Sequence, residues 1–280
     1  MLRDLIDYLL CPNCGGDLAL AGESVKCRRG HVFDVARQGY VNLLGAPAKP
    51  EAGDTSSMVR ARETFLGAGH FEPIVHQVVE TAERGMSSTA DGCIVDVGAG
   101  TAHYLAAVLD RQSTRVGLAL DVSKYSVRRA ARAHPRAGAV VCDTWQPLPV
   151  RTDSAALLLN VFSPRNGAEF HRILEREGVL VVVVPTDRHL EELVSVLGLV
   201  TVDEHKATRV HDQLDPYFNE VTTSLSEFSM TLGREDIVAL VTMGPSAWHV
   251  ETNAMDERVN ALTLPLSVTG SATVSAYRAR

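Results

Sequence analysis

Four residues near the start of the chain carry its most specific chemical signal. Cys11-Pro-Asn-Cys14 is a tight knuckle whose two thiolates can reach one ion, and Cys27-Arg-Arg-Gly-His31 brings a third thiolate and an imidazole from another turn. Three sulfurs and a ring nitrogen suit tetrahedral zinc; with no protein ligand missing, that zinc is structural and leaves no open position for water. A second constellation runs from Cys93 to Leu105. Its apolar start, Cys93 to Val97, reads as a buried strand, and Gly98-Ala99-Gly100 turns the backbone where a ligand can approach without meeting a Cβ. A helix then starts near Thr101, so strand, glycine turn and helix N-terminus form a nucleotide-cofactor cradle at the carboxyl edge of a parallel sheet.

Two details choose between nucleotides. A dinucleotide fingerprint needs a third glycine where this chain has His103, and Asp96 puts a carboxylate in the turn that suits an ammonium better than a diphosphate. Both favour S-adenosylmethionine over NAD. A second buried run, Val116 to Leu120, ends at Asp121, placed for ribose hydroxyls, and a third, Ala139 to Cys142, ends at Asp143, placed for an adenine amino group. Asp121 alone does not discriminate, since NAD enzymes use an acid there too. At the end of a fourth run, Asn160 and Ser163 can grip a flat base. Phe71 can lie against an adenine or simply fill the core, and His189 can meet the cofactor or sit in solvent.

The elements that must position these groups follow from composition and pattern. With 280 residues and 45% hydrophobic content the chain has room for one main core and one small module. We read residues 1–44 as a zinc-binding module with RNA-recognition character, 45–56 as a Pro/Gly/Ala-rich linker, and 57–280 as the cofactor domain. A module of about 40 residues buries too little apolar surface alone, so metal supplies much of its folding free energy. Lys26, Arg28, Arg29 and Arg37 surround its ligands, with Phe33 and Tyr40 interleaved to stack on bases or to pack beneath the zinc. Helices are expected from Asp54 or Thr55 to Gly67, after Gly69-His70-Phe71, over Ser123 to Ala133 with a basic face, and after a cap at Thr186 or Asp187. Trp248 can stack on a target base, though a core role suits its type better. The longest apolar run, Val179 to Val184, stops at Pro185, too short to span a bilayer. Asp4 and Asp7 argue against a secretory signal, and an odd cysteine count against a disulfide framework; a cytoplasmic protein is expected. The formal charge of -7 argues against a nucleic-acid partner, but a basic patch can sit on an acidic protein.

Taken together, the zinc ligands, Phe33-Asp-Val-Ala-Arg-Gln-Gly-Tyr-Val-Asn-Leu-Leu44, Gly53-Asp54 with Met58 and Ala61-Arg62, Gly69-His70-Phe71, the glycine turn, Leu120-Asp-Val-Ser-Lys124 and Arg188-His189-Leu190 resemble the 23S rRNA guanine-N1 methyltransferases. Arg128 to Pro135, Leu159 to Asn166 and Met243 to His249 look closest to their tylosin-resistance branch. The resemblance covers essentially the whole chain. It implies an α/β, Rossmann-like, seven-stranded class I methyltransferase fold that methylates N1 of a guanosine in a 23S rRNA hairpin loop, giving resistance to tylosin-like macrolides. It also implies structural zinc on Cys11, Cys14, Cys27 and His31, and S-adenosylmethionine contacts by Phe71, by the turn from Gly98 through Tyr104 and Leu105, and by His189, within a homodimer. Guanine N1 carries a proton that must leave as the methyl arrives. Asp143, Asn160 and Asp187 are candidates to assist, without one standing out. A small-molecule methyltransferase would share the cradle but leave the arginine-rich module unexplained; a non-catalytic zinc-ribbon RNA-binding protein would leave Asp96, Gly98, Gly100 and Asp121 unexplained.

Overall fold

Buried runs alternate with amphipathic helices through the middle of the chain, and that alternation builds a parallel sheet covered on both faces. The computed structural model describes residues 2–45, 53–199, 213–244 and 257–280. In chain order the elements are α1 (Leu2–Leu5), a 3-10 turn (Ile6–Tyr8), β1 (Leu18–Ala21), β2 (Ser24–Cys27), β3 (Val32–Asp34), β4 (Val41–Asn42), α2 (Ser56–Gly67), α3 (Glu72–Gly85), β5 (Cys93–Val97) and α4 (His103–Arg111). Then come β6 (Gly117–Asp121), α5 (Lys124–Ala130), β7 (Ala137–Val141), β8 (Ala155–Val161), α6 (Gly167–Ile173), β9 (Leu174–Pro185), α7 (Glu191–Leu197), β10 (Phe218–Leu232), α8 (Arg234–Met243) and β11 (Leu266–Ala279).

The large sheet has eight strands in the order β10-β11-β9-β8-β5-β6-β7-β4. Seven of them make the expected Rossmann-like arrangement, with β11 antiparallel to both β9 and β10. The eighth is a contribution from the N-terminal region: Val41 and Asn42 pair in parallel with Val140 and Val141 of β7. Upstream of it, β1, β2 and β3 form a separate antiparallel sheet.

A missing helix explains why the N-terminal region merges with the main core. Between β7 and β8, residues 142–154 contain no helix, so one face of the sheet lacks its usual cover. Leu2, Leu5, Ile6 and Leu9 fill that place, in one buried cluster with Val140, Val150, Leu158 and Phe170. Leu5 packs onto Gly138, Leu9 bridges to Val150, and Arg151 Nε donates to Asp7 O at 2.9 Å. Each fully buried leucine or isoleucine is worth about 1.5–3 kcal/mol over the exposed state. The opposite face carries the helices next to the cofactor turn. There α3 turns Ile74, Val75, Val78 and Ala82 inward at helical spacing, after a start helped by Pro73 in its first turn. In α2, Thr55 Oγ1 accepts from Met58 N at 3.3 Å, the expected cap.

Two helix expectations are corrected. Neither Thr186 nor Asp187 caps a helix: α7 starts at Glu191 after Leu190 takes a left-handed φ of 61°, and Thr186 Oγ1 instead donates to Ser271 Oγ at 2.6 Å. The basic helix stops at Ala130, short of Ala133. Trp248 and most of the linker lie outside the described residues. No helix among the described residues is long and apolar enough to cross a membrane.

Candidate metal centre and cofactor site

Cys11, Cys14, Cys27 and His31 converge, their ligand atoms all within 4.8 Å of one another. Cys11 Sγ and Cys27 Sγ lie 3.4 and 3.3 Å from His31 Nδ1, and Cys14 Sγ lies 3.8 Å from Cys27 Sγ. Tetrahedral bonds of about 2.3 Å to zinc place neighbouring sulfurs about 3.8 Å apart, so the donor set fits the ion. Backbone turns present the ligands: Gly15 N donates to Cys11 O at 2.8 Å and Gly30 N to Cys27 O at 3.0 Å. Around them Lys26, Arg28, Arg29 and Arg37 are exposed, while Phe33 and Tyr40 are half-buried and pack inward.

At the carboxyl edge of the large sheet, Gly98 and Ala99 both donate to Leu120 O, at 2.8 and 3.0 Å, which closes the turn. Gly98 has a φ of 75°, and a Cβ there would overlap Ser163 Oγ, so only glycine fits. Asp121 is fixed by two backbone donors, Gly100 N to Oδ2 and Ser123 N to Oδ1, each at 2.8 Å. Each oxygen keeps a lone pair for a ribose hydroxyl. Asp96 is buried beneath the turn, and burial together with the Asp121 charge pushes its carboxyl up to about 8. An arriving ammonium would ionise it. Tyr104 is buried with its hydroxyl unpartnered, while the Leu105 side chain faces the core and leaves only its backbone to the site. A diol and an ammonium, two polar parts of S-adenosylmethionine, find complements here.

A strap crosses this site. Gly53 lies so close to Ser123 that a Cβ would stand 2.9 Å from its backbone, and Ser123 Oγ donates to Asp54 O at 2.6 Å. The Asp54 carboxylate pairs with Arg62, whose Nη2 donates to Met243 O at 2.8 Å. Nη1 of Arg62 is 3.2 Å from where a Cβ on Gly100 would be, so the guanidinium lies over the glycine turn. A second tie, His70 Nε2 to Asp236 Oδ1 at 3.0 Å, holds the α2–α3 junction to α8.

Phe71 and His189 meet at the same edge. Their ring centroids are 5.6 Å apart, and Phe162, which sequence reasoning passed over, stands 6.3 Å from Phe71 and 5.9 Å from His189. His189 Nδ1 accepts from Ser271 N at 3.1 Å, which fixes the ring. Phe162 has a left-handed φ of 52°, costing a side-chain residue about 1–2 kcal/mol. Beside it, Asn160 is fully buried: Nδ2 donates to Val97 O at 3.3 Å and Pro164 O at 2.8 Å, and Oδ1 has no partner. The two donors settle which way the amide points and leave a fixed acceptor. Of the other candidates, Asp143 Oδ1 accepts from Trp145 N at 3.0 Å, and Asp187 is exposed beyond the end of β9. No periodicity marks Phe162 or Trp145, and the Met243 carbonyl that Arg62 reaches lies 181 residues off in sequence; only the strand-end rule could have found the first two.

Comparison with known proteins gives four findings. Residues 9–50 match the zinc ribbon described as RlmA, N-terminal. Over 294 residues, 99% of each chain, 48% are identical to a protein of Micromonospora griseorubida that carries the name 23S rRNA (guanine-N1)-methyltransferase. Over 278 residues, again 99% of each, 44% are identical to the 23S rRNA (guanine(748)-N1)-methyltransferase of Streptomyces fradiae. Among solved structures, the MccD protein shares the fold at a TM-score of 0.50 and 13% identity, over 72% of this chain and 96% of that one.

Proposed function

Because the chain belongs to the 23S rRNA (guanine-N1)-methyltransferase family, we propose that it methylates N1 of the guanosine equivalent to position 748. The observation that carries this reading is that the likeness to the Streptomyces fradiae enzyme spans 99% of both chains, zinc ribbon and cofactor edge together.

When bound, S-adenosylmethionine supplies a methyl group already activated on a sulfonium. The residues of this chain do the rest. Asp121 holds the ribose, Asp96 takes the ammonium, and Arg62 closes over the glycine turn. Phe71 and His189 line the cofactor side of an aromatic wall, and Phe162 extends it where a guanine extruded from its loop can lie. Asn160 Oδ1 accepts from the exocyclic amine beside N1 and so sets the base in line with the methyl, where alignment supplies much of the rate. An amide oxygen cannot hold a proton, so the N1 proton leaves to water as the new bond forms.

A cytoplasmic site of action, resistance to tylosin-like macrolides and a homodimer belong to the same reading; the resemblance supports them, and light scattering tests the last. The deciding experiment is transfer of labelled methyl to protein-free 23S rRNA, with primer extension to find a block at a modified Watson-Crick edge. One block at the 748-equivalent guanosine is expected. Cofactor binding without labelled RNA would turn the reading to a small-molecule acceptor.

A further inference from the structure

Among the described residues the exposed large hydrophobic side chains are Val32, Val196, Val221, Leu225 and three aromatics: Trp145 at 59%, Tyr125 at 40% and Phe162 at 37%. Single exposed apolar residues need no explanation. The position of the three aromatics does. Tyr125 stands four residues past the end of β6, Trp145 four past β7 and Phe162 one past β8, so all three rise from the carboxyl edge of one sheet. The intervening strands follow the order β8-β5-β6-β7, which spreads the three rings over about 14 Å at the usual strand spacing. About four bases of a stacked strand cover that length.

Trp145 and Tyr125 are presented on fixed backbone. The carboxylate of Asp143 takes Trp145 N–H at 3.0 Å, and Asn166 Nδ2 donates to Thr144 O at 3.3 Å, tying the indole loop to the loop that follows Phe162. Tyr125 sits in the first turn of α5 with Lys124 Nζ 5.3 Å from its ring centroid, and Arg128 is exposed one turn on. Beyond β7 comes β4, which joins the sheet to the zinc ribbon with its exposed Lys26, Arg28 and Arg29.

We propose that Trp145 and Tyr125 are a stacking rim for unpaired RNA, holding nucleotides that flank the target guanosine while Phe162 faces the guanosine itself. The proposal rests on the rRNA reading above and adds the surface that receives the loop. Aromatic rings accept any base by its face, and the neighbouring cations meet the phosphates, which favours a single-stranded nucleic acid over a second protein.

The test uses the full-length protein, a hairpin transcript containing the target loop, and two readouts. The chain has two tryptophans, so RNA-induced fluorescence quenching should survive Trp248→Phe and vanish in Trp145→Phe. In methyl transfer, Trp145→Ala should raise KM for RNA about tenfold or more with little change in kcat and none in S-adenosylmethionine affinity by calorimetry. Trp145→Phe should recover most of the loss and Trp145→Leu should not, since an aliphatic side chain has no π face. An unchanged KM in Trp145→Ala, equal behaviour of the Phe and Leu variants, or a change in particle mass by light scattering would overturn the proposal, the last by making Trp145 a protein interface. Wild-type protein that methylates the hairpin while Trp145→Ala matches it would sink the rim alone. Wild-type protein that neither binds nor methylates it would sink the rRNA reading and the rim together.

Discussion

At the amino edge of the large sheet, arginines close off backbone carbonyls; at the carboxyl edge, polar atoms are left open. Arg115 donates to Gly92 O at 2.7 Å and also to Ala90 O, and Arg136 to Arg115 O at 2.7 Å and to the carbonyls of Leu109 and Gln112. Arg172 reaches Val150 O at 2.7 Å and Leu148 O at 3.0 Å, and Arg278 reaches Gly178 O at 2.8 Å and Gly85 O at 2.6 Å. Helix ends and loop carbonyls that would lack partners find them there. At the other edge Tyr104, Ser126, Asn160, Ser163 and Arg165 each keep a buried polar atom without a partner among the described residues, and Ala102, Phe162 and Leu190 are left-handed without being glycine. One sheet therefore keeps its satisfied backbone at the end away from the chemistry, where Asp153 is the one left-handed non-glycine among the described residues, and its open valences and most of its strain where a ligand can complete them.

Substitution at each edge should separate the two properties. Arg136→Leu leaves several carbonyls unpaired and is expected to cost about 2–4 kcal/mol in urea unfolding, with S-adenosylmethionine affinity unchanged. If affinity fell in step, the edges would not be independent. Asp121→Ala should do the reverse. Loss of two hydrogen bonds to a charged acceptor weakens cofactor binding about 100-fold by calorimetry. The thermal midpoint of the free protein should shift little, because leaving Gly100 N and Ser123 N unpaired is offset by removing a carboxyl that burial holds above its ordinary value.

A smaller effect sharpens the contrast through pH. Asp96 stands near 8 in the fold against 3.8 ordinarily, so the folded protein keeps a proton that the unfolded chain gives up between those values. The stability it contributes is full below about pH 4 and is lost as pH rises through about 8. Cofactor binding should favour the ionised form, release up to one proton near pH 7, and tighten with pH up to about 8 before levelling. Calorimetry in buffers of different ionisation heat measures the proton, and Asp96→Asn should abolish its release; an affinity flat in pH would remove Asp96 from the ammonium site.

What the sequence made legible was whatever depends on short spacing. The Cys-x-x-Cys knuckle and its Cys/His partner announce a four-ligand site, and apolar runs ending in Asp121 or Asp143 announce strand ends, because in each case the geometry is local. The Thr55 cap was readable for the same reason. The failures share a cause too. Thr186 and Asp187 have the right type for a cap, but Ser271, 85 residues on from Thr186, takes the threonine hydroxyl and the helix starts later. Arg62 reaches a carbonyl 181 residues away, Arg136 binds only backbone, and Trp145 is a lone aromatic in a loop. None of these partnerships leaves a periodic trace.

The two residues of β4 also bear on solubility. β7 is buried along its whole length, Ala137 to Val141, and among the described residues its outer edge is paired only where Val41 meets Val140 and Asn42 meets Val141. Without that cover it would offer open backbone groups beside apolar side chains, the surface on which strands from separate molecules add to one another. The segment supplying the cover leaves directly from the metal-held ribbon. Protein stripped of zinc is thus expected to clump while its main sheet is still folded, which makes the ion a guard against self-association as well as a fastener of the fold.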